Sequence, residues 1–226
     1  TTGTVTGANG IGIWADNRSS ATNLTISTAG VSGTDDGINA TNSGTGHLSI
    51  SASGTVSSTG NGTFAFGIAA YNRGNAALSI TASDTVESTG TGAYAIGIYA
   101  NNASTGTDLT ISTADVTGGY AGIYTNNFGS GSLSITASGT VEATRGRGIV
   151  ATNSANGTDL TISAANVEGS SDGIKATQNG NGALAITTSG LVSGGAGGFG
   201  IAALNNSDQP TTIDIGAQSV VQGGIA

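Results

Sequence analysis

The amino-acid sequence predicts an all-β protein, a right-handed, single-stranded parallel β-helix of about eight to nine rungs with three strands in each rung. A Gly-Ile pair recurs at intervals of 24 to 30 residues, and such a period is typical of solenoid proteins. Within each repeat, apolar and polar residues alternate as in half-buried strands. No segment shows the apolar spacing of an amphipathic helix, which disfavours the leucine-rich repeat. The paired isoleucines are Ile13, Ile38, Ile68, Ile98, Ile123, Ile149, Ile174, Ile201 and Ile225.

The first strand of each repeat is predicted from the phrase Gly-Ile-x-Ala-x-Asn. Its period of two places Ile, Ala and Asn on one side and the residues between them on the other. The glycine is expected at a corner that needs either a positive φ or the absence of a Cβ. The Asn column is interpreted as an internal ladder of side-chain amides, in preference to a ligand site. Its members are Asn17, Asn42, Asn72, Asn102, Asn127, Asn153 and Asn205, with Gln178 between the last two.

Two further strands are predicted in each repeat, one around a Leu-x-Ile phrase and one around a single valine. In a parallel β-helix, identical residues of successive rungs stack along the axis at about 4.8 Å per rung. The inward columns should therefore be columns of one residue type. The core residues that this pattern predicts are Ile98, Ala100, Leu109, Ile111, Val116, Ile123, Leu133, Ile135 and Val141.

Residues 1–226 are predicted to form one β-helix segment. We expect it to be part of a longer repeat array, because neither end shows the polar cap that terminal repeats usually carry. Two repeats, Ser58–Ile68 and Ser88–Ile98, carry extra residues at the same corner of adjacent rungs. Insertions in solenoid repeats map to one face, which is often the binding face.

Charge and composition argue against several classes of partner. The net charge is −8 with five basic residues, so nucleic acid and anionic membranes are not expected as partners. The chain has no Cys, a single His47 in a turn, and 13 thinly spread acidic residues; no metal and no cofactor are therefore expected. Because no apolar run approaches the roughly 20 residues of a spanning helix, membrane insertion by this segment is not expected.

One extended phrase carries a family resemblance. Gly-Ile-x-Ala-x-Asn-x-Gly-x-Gly-x-Leu-x-Ile-x-x-Ser-Gly-x-Val is clearest at Gly122–Val141 and Gly173–Val192, and it resembles the passenger domains of Gram-negative autotransporter adhesins over essentially the whole chain. The resemblance implies export through the outer membrane, an extracellular position on a bacterial cell surface, anchoring through a C-terminal part outside this sequence, and a role in adhesion or aggregation.

Aromatic residues cluster in the middle of the chain, and we predict a binding patch there. Adhesion needs exposed groups with a large contact area and a low ordering cost, and Tyr supplies both. The expected partner is a glycan or protein of a host or bacterial surface, or another copy of the rod. Packing aromatics without a ligand are the alternative interpretation. The predicted patch consists of Phe64, Tyr71, Tyr94, Tyr99, Asn101, Tyr124 and Asn126.

Two other functions remain open. The outward positions of the Leu-x-Ile strands are nearly all Ser or Thr, as at Thr25 and Thr110, which resembles the hydroxyl rows of ice-binding solenoids; a polar sheet face made of good strand formers is the preferred interpretation. A carbohydrate-active enzyme is the third candidate, because such an enzyme needs clustered acidic residues and the acidic residues of this chain are spread thinly. The pair Asp35-Asp36 is expected to be solvated in a turn. A non-enzymatic adhesin is therefore the leading prediction.

Overall fold

The computed structural model describes residues 3–223, and in that range it contains strands and turns but no helix. The strands pair in parallel and stack in three ladders, which we call faces 1, 2 and 3. The predicted parallel β-helix with three strands per rung is confirmed. Ile225, predicted to begin another first strand, lies outside the described residues. Nothing in residues 3–223 has the length and hydrophobicity of a bilayer-crossing helix.

Face 1 contains the strands that begin with the Gly-Ile phrase, and its eight members form one sheet. They are Ile13–Asn17, Ile38–Asn42, Phe64–Asn72, Tyr94–Asn102, Ala121–Asn127, Arg147–Asn153, Ile174–Gln178 and Ile201–Asn205.

Face 2 contains the Leu-x-Ile strands and face 3 the valine strands. Two long strands, Leu133–Ala143 and Leu160–Gly169, continue through the corner and join the two faces into one sheet. The other strands of face 2 are Leu24–Thr28, Leu48–Ala52, Leu78–Ala82, Leu109–Thr113, Leu184–Thr188 and Thr211–Ile215. The other strands of face 3 are Thr4–Gly7, Gly30–Gly33, Val56–Ser58, Val86–Ser88, Val116–Gly118, Leu191–Ser193 and Val220–Gln222.

The register between rungs stacks like residues on like. Ile98 pairs with Ile68 on one side and with Ile123 on the other, and Leu109 pairs with Leu133. Each predicted core residue from Ile98 to Val141 is fully buried. The sequence period and the three-dimensional stacking therefore describe the same core.

The repeated glycine of face 1 is required by a close contact, and not by its backbone angle. In residues 3–223 only Gly197 and Gly223 have a positive φ, so the positive-φ alternative is wrong. A Cβ placed on Gly67 would lie 2.6 Å from the carbonyl oxygen of Gly97 and 2.7 Å from the Cγ1 methyl of Val86. Both distances are far below van der Waals contact, so face 1 approaches the valine column of face 3 too closely for any other residue.

The buried amides of the Asn column are hydrogen-bonded to one another. The Nδ2 of Asn72 donates to Oδ1 of Asn102 at 2.8 Å, and the Nδ2 of Asn102 donates to Oδ1 of Asn127 at 2.8 Å. The same series runs from Asn17 to Asn153. Gln178 instead donates to main-chain carbonyl oxygens. From Asn17 to Asn127, each amide thus ties a corner to its own turn and to the next rung.

We predict that Asn102→Ala strongly destabilises the rod. The change removes bonds to Asn72, to Asn127 and to the carbonyl oxygen of Thr107, and it leaves buried polar atoms without partners. The expected loss in the free energy of unfolding is about 3 kcal/mol or more, measured by denaturant unfolding. Asn101→Ala, at the half-exposed neighbouring position, is the matched control and should cost less than about 1 kcal/mol. Equal losses for the two variants would contradict a structural role for the ladder.

A second prediction concerns Thr125, which interrupts the alanine column between Ala100 and Ala151. Its side chain is fully buried, and within residues 3–223 its hydroxyl has no hydrogen-bond partner. Thr125→Val keeps the shape and removes the unsatisfied oxygen, so the free energy of unfolding should rise by about 1 kcal/mol. Thr152→Val, at a half-exposed outward position, should change it by less than about 0.5 kcal/mol. A lower melting temperature for Thr125→Val alone would refute the argument.

Candidate functional site

The two insertions lengthen face 1 sideways. Strands Phe64–Asn72 and Tyr94–Asn102 have nine residues each, whereas Ile38–Asn42 has five. Their added residues pair with each other, because Phe64 lies opposite Tyr94 and Phe66 lies opposite Ile96. We call Phe64–Phe66 and Tyr94–Ile96 the ledge. The insertions are thus ordered strand, and they extend face 1 beyond the five-residue width of Ile38–Asn42.

A cleft of about 660 Å³ lies where the ledge meets the outward side of face 1. Its volume falls within the range of ordinary ligand sites, about 300–1,000 Å³. Apolar and aromatic side chains dominate the lining, which also contains two carboxylates and two amides. The lining residues are Ile11, Asp35, Asp36, Asn39, Phe64, Phe66, Tyr71, Tyr94, Ile96, Tyr99, Tyr120, Tyr124 and Asn126.

Seven aromatic side chains form one continuous group in the cleft, which we call the aromatic cluster: Phe64, Phe66, Tyr71, Tyr94, Tyr99, Tyr120 and Tyr124. Six of them close a circuit in which neighbouring ring centroids lie 5.0–6.3 Å apart. Tyr71 joins the circuit through Tyr99 at 5.4 Å. Two pairs, Phe64 with Tyr94 and Tyr99 with Tyr124, are stacked with interplanar angles of 14° and 15°. These distances are those of favourable aromatic pairs.

The structure brings most of the predicted patch together. Six of its seven residues line the cleft, and Asn101 pairs with Asn126 and Tyr71 without lining it. The centroids of Tyr99 and Tyr124 lie 5.8 Å apart, close to the expected rung spacing. The sequence analysis missed Phe66 and Tyr120. Phe66 could have been predicted from Phe64, because residues two apart in one extended strand lie on the same side of the sheet.

A small apolar core supports the cleft from below. Phe66, Ala69, Ile96 and Ala121 are buried outside the β-helix interior, and the half-buried tyrosines pack on them. Phe64 remains 59% exposed at the outer edge. The floor of the cleft is therefore held by packing, and Phe64 and Tyr94 are the most exposed rings of the cleft.

The expectation that Asp36 is solvated is wrong, because only 7% of this residue is exposed. Its Oδ2 accepts a hydrogen bond from Nδ2 of Asn39 at 2.7 Å, and its Oδ1 accepts one from the main-chain N–H of Phe66 at 3.0 Å. Burial raises the pKa of Asp36, and the two hydrogen bonds oppose this rise. Asp36 therefore anchors the ledge to the preceding rung and places a carboxylate in the wall of the cleft.

Phenolic hydroxyls in the cleft are available to a ligand. Among the described residues, the hydroxyls of Tyr71, Tyr94, Tyr99 and Tyr120 form no hydrogen bond to the protein. Burial, with further effects from Tyr99 and Asp36, raises the pKa of Tyr71 to about 12. The Tyr71 hydroxyl consequently stays protonated at physiological pH and serves as a neutral donor or acceptor.

Arg145 fixes the loop that leads into the ledge. Its Nη1 donates to the carbonyl oxygen of Thr91 at 2.8 Å, and its Nη2 donates to that of Gly92 at 2.7 Å. The loop immediately precedes Tyr94, so this clamp positions one wall of the cleft. An arginine fork is suited to the task because its donors are planar and fixed in direction.

Face 2 carries the other predicted feature, the hydroxyl rows. Pairing between rungs aligns Thr110 with Ser79 and Ser134, and it aligns Ser112 with Thr81 and Thr136. The rows are therefore in register along the rod. In residues 3–223 no group of three or more His, Cys, Asp or Glu side chains is arranged to hold a metal ion.

Comparison with known proteins gives no assignment for this arrangement. No protein-family model, no curated protein and no solved structure matches the chain. The resemblance of the repeat phrase to autotransporter passenger domains stays a prediction, and the function is argued from the geometry of the cleft.

Proposed function

We propose that this chain is a non-enzymatic binding rod of a bacterial cell surface whose aromatic cleft holds a glycan. The observation that carries the proposal is the aromatic cluster, which lines a concave site of about 660 Å³ together with polar side chains. Exposure on the cell surface and anchoring through a part outside this sequence rest on the resemblance to adhesin passenger domains.

The chemistry of the cleft favours a sugar. A pyranose ring has apolar C–H faces and a rim of hydroxyl groups, so it needs flat apolar surfaces beside hydrogen-bonding groups. The aromatic cluster, which includes Tyr99 and Tyr124, supplies the apolar ring surface of the cleft, and Asn39 and Asn126 also line it. Tyr side chains lose little conformational entropy on binding, which suits a site that must be ready before the ligand arrives.

The shape of the site favours a glycan over another copy of the rod. Two stacked rods would meet through flat sheet faces, whereas the ledge of Phe64–Phe66 and Tyr94–Ile96 stands out from face 1 and forms a recess. A recess excludes a flat partner and admits a narrow one. Self-association of the rod is therefore the alternative that the binding test below distinguishes from glycan binding.

The environment of Asp36 supports a non-enzymatic role. Both of its carboxylate oxygens already accept hydrogen bonds, from Asn39 and from the N–H of Phe66. A general acid or base must reach the reacting proton of the substrate. Asp36 is instead committed to holding the ledge.

Ice binding is a second candidate, and the in-register hydroxyl rows of face 2 favour it. A regular two-dimensional array of hydroxyl and methyl groups suits an ordered solid better than a single soluble ligand. This function would use face 2 and leave the aromatic cleft of face 1 without a role.

We predict that Tyr99→Ala combined with Tyr124→Ala weakens glycan binding at least about tenfold, because interface aromatics each carry more than about 1 kcal/mol. The measurement is binding to a panel of immobilised oligosaccharides. Since both rings pack in the aromatic cluster, some loss of melting temperature is expected, and folding is checked by circular dichroism. Phe128→Ala, at an exposed aromatic residue outside the cleft, is the matched control and should bind as the wild type does.

Two results would contradict this proposal. One is that the wild-type protein binds no oligosaccharide of the panel. The other is that the double variant binds as tightly as Phe128→Ala. Concentration-dependent dimerisation that is lost in the double variant, without glycan binding, would instead assign the cleft to self-association.

Thr110→Lys separates the two candidate functions. The glycan proposal expects unchanged oligosaccharide binding, because Thr110 lies on face 2, away from the cleft lining. Thermal hysteresis and ice shaping by the wild-type rod, both abolished by Thr110→Lys, would establish the ice-binding function. Absence of thermal hysteresis in the wild type would exclude it.

A further inference from the structure

A second cleft, of about 540 Å³, lies on face 1 near the first rung. It contains Trp14, which at 72% is the most exposed large apolar side chain in residues 3–223. The lining residues are Trp14, Asp16, Arg18, Ser19, Thr41, Ser43 and Arg73. An exposed indole beside two arginines is unlike the rest of this surface.

The two arginines of this cleft are free to bind a ligand. The chain has five basic residues, and two of them have structural partners: Arg145 holds main-chain carbonyl oxygens, and Arg147 forms an ion pair with Asp172 at 2.8 Å. Within the described part of the chain, the side chains of Arg18 and Arg73 form no hydrogen bond and no ion pair. Both guanidinium groups are permanently charged. Two unpaired cations therefore share one cleft on a protein of net charge −8.

The second cleft adjoins the aromatic cleft on the outward side of face 1. Trp14 pairs with Asn39, which lines the aromatic cleft, and Thr41 pairs with Tyr71. Arg73 lines the second cleft and follows Tyr71, which lines the aromatic cleft, by two residues. Both clefts thus form one track along the outward side of face 1.

The length of the track follows from the rung spacing. Trp14 and Tyr99 stand in the same outward column, which passes through Asn39 and Ala69. Three steps of about 4.8 Å separate them by roughly 14 Å along the axis. A ligand that contacts both must therefore be an oligomer and not a single sugar.

We infer that the glycan held by the aromatic cleft extends along face 1 and ends, over Trp14, in an acidic sugar whose carboxylate is bound by Arg18 and Arg73. This inference rests on the proposed glycan-binding function and adds the chemical class of the ligand. The indole face takes the apolar side of the terminal ring. The planar arginine forks match a carboxylate, which they bind through charge-assisted hydrogen bonds.

The remaining charges limit the ligand to a negative group at that end. The second cleft holds one acid, Asp16, against the two arginines. The described lining of the aromatic cleft contains Asp35 and Asp36 and no basic residue. A glycan with a carboxylate on every sugar would meet these acids along the track. The favoured ligand is neutral over the tyrosines and acidic over Trp14.

The test uses pairs of oligosaccharides that differ only at the terminal sugar, which carries either a C6 carboxylate or its methyl ester. The neutral part is an oligosaccharide from the panel, and affinities are measured by isothermal titration calorimetry. The wild-type protein should bind the acid about tenfold more tightly than the ester, and the preference should shrink as salt is added. The double variant Arg18→Ala with Arg73→Ala should bind both compounds with the affinity of the ester.

Lys175→Ala is the matched control, since it removes a positive charge from an exposed residue of face 1 outside both clefts. It should retain the preference for the acid. Equal affinity of the wild type for acid and ester overturns the inference and leaves glycan binding intact, as does a preference that survives in the double arginine variant. Binding of neither compound to the wild type overturns both the inference and the proposed function.

Discussion

The close approach of face 1 to the valine column of face 3 sets the dimensions of the whole rod. Where a side chain would start at Gly67, the carbonyl oxygen of Gly97 and the Val86 methyl already occupy the space. The cross-section of a rung is therefore fixed at this corner. Rungs of one size superimpose along the axis. As a result, isoleucines stack on isoleucines, and each Asn amide can hydrogen-bond to the amide of the next rung. Extra residues cannot enter such a rung, so the two insertions can only extend outward.

The ledge consequently needs its own means of support. It obtains main-chain bonds from neighbouring rungs, the carboxylate of Asp36, and the small core of Phe66, Ile96 and Ala121. The interior of the rod and the aromatic cluster are thus built by opposite rules. Inside, a polar Asn column runs through an apolar core; outside, an apolar cluster stands on a polar surface. Each is stable because its members interact with one another: the Asn amides through hydrogen bonds, and the aromatic rings through packing.

Sequence reasoning predicted whatever the repeat determines. Ile98, Leu109 and Asn102 lie where the period of the chain places them, because each has the same neighbours in every rung. It missed residues whose burial or contacts depend on a neighbouring rung that differs from the repeat. Asp36 belongs to an ordinary turn, and its carboxylate is bound by Phe66, 30 residues later, in the lengthened strand that begins at Phe64. Phe66 lies in an inserted segment, and Tyr120 packs against Tyr94 of the other insertion. Most rungs lack these insertions, so the repeat gave no guide to the two residues.

Because the rungs are evenly spaced, the distance between the two ends of the track on face 1 is set by the number of rungs between them. Trp14 stands three strand steps from Tyr99, and the hydrogen bond between Asp36 and the main-chain N–H of Phe66 spans the middle step. Gain of one unit between the first and second rungs would move Trp14 and Arg18 one further step of about 4.8 Å from Tyr99. It would also separate Arg18 from Arg73, which lies on the third rung. The number of rungs between Trp14 and Tyr99 therefore sets the length of the oligomer that can contact both residues.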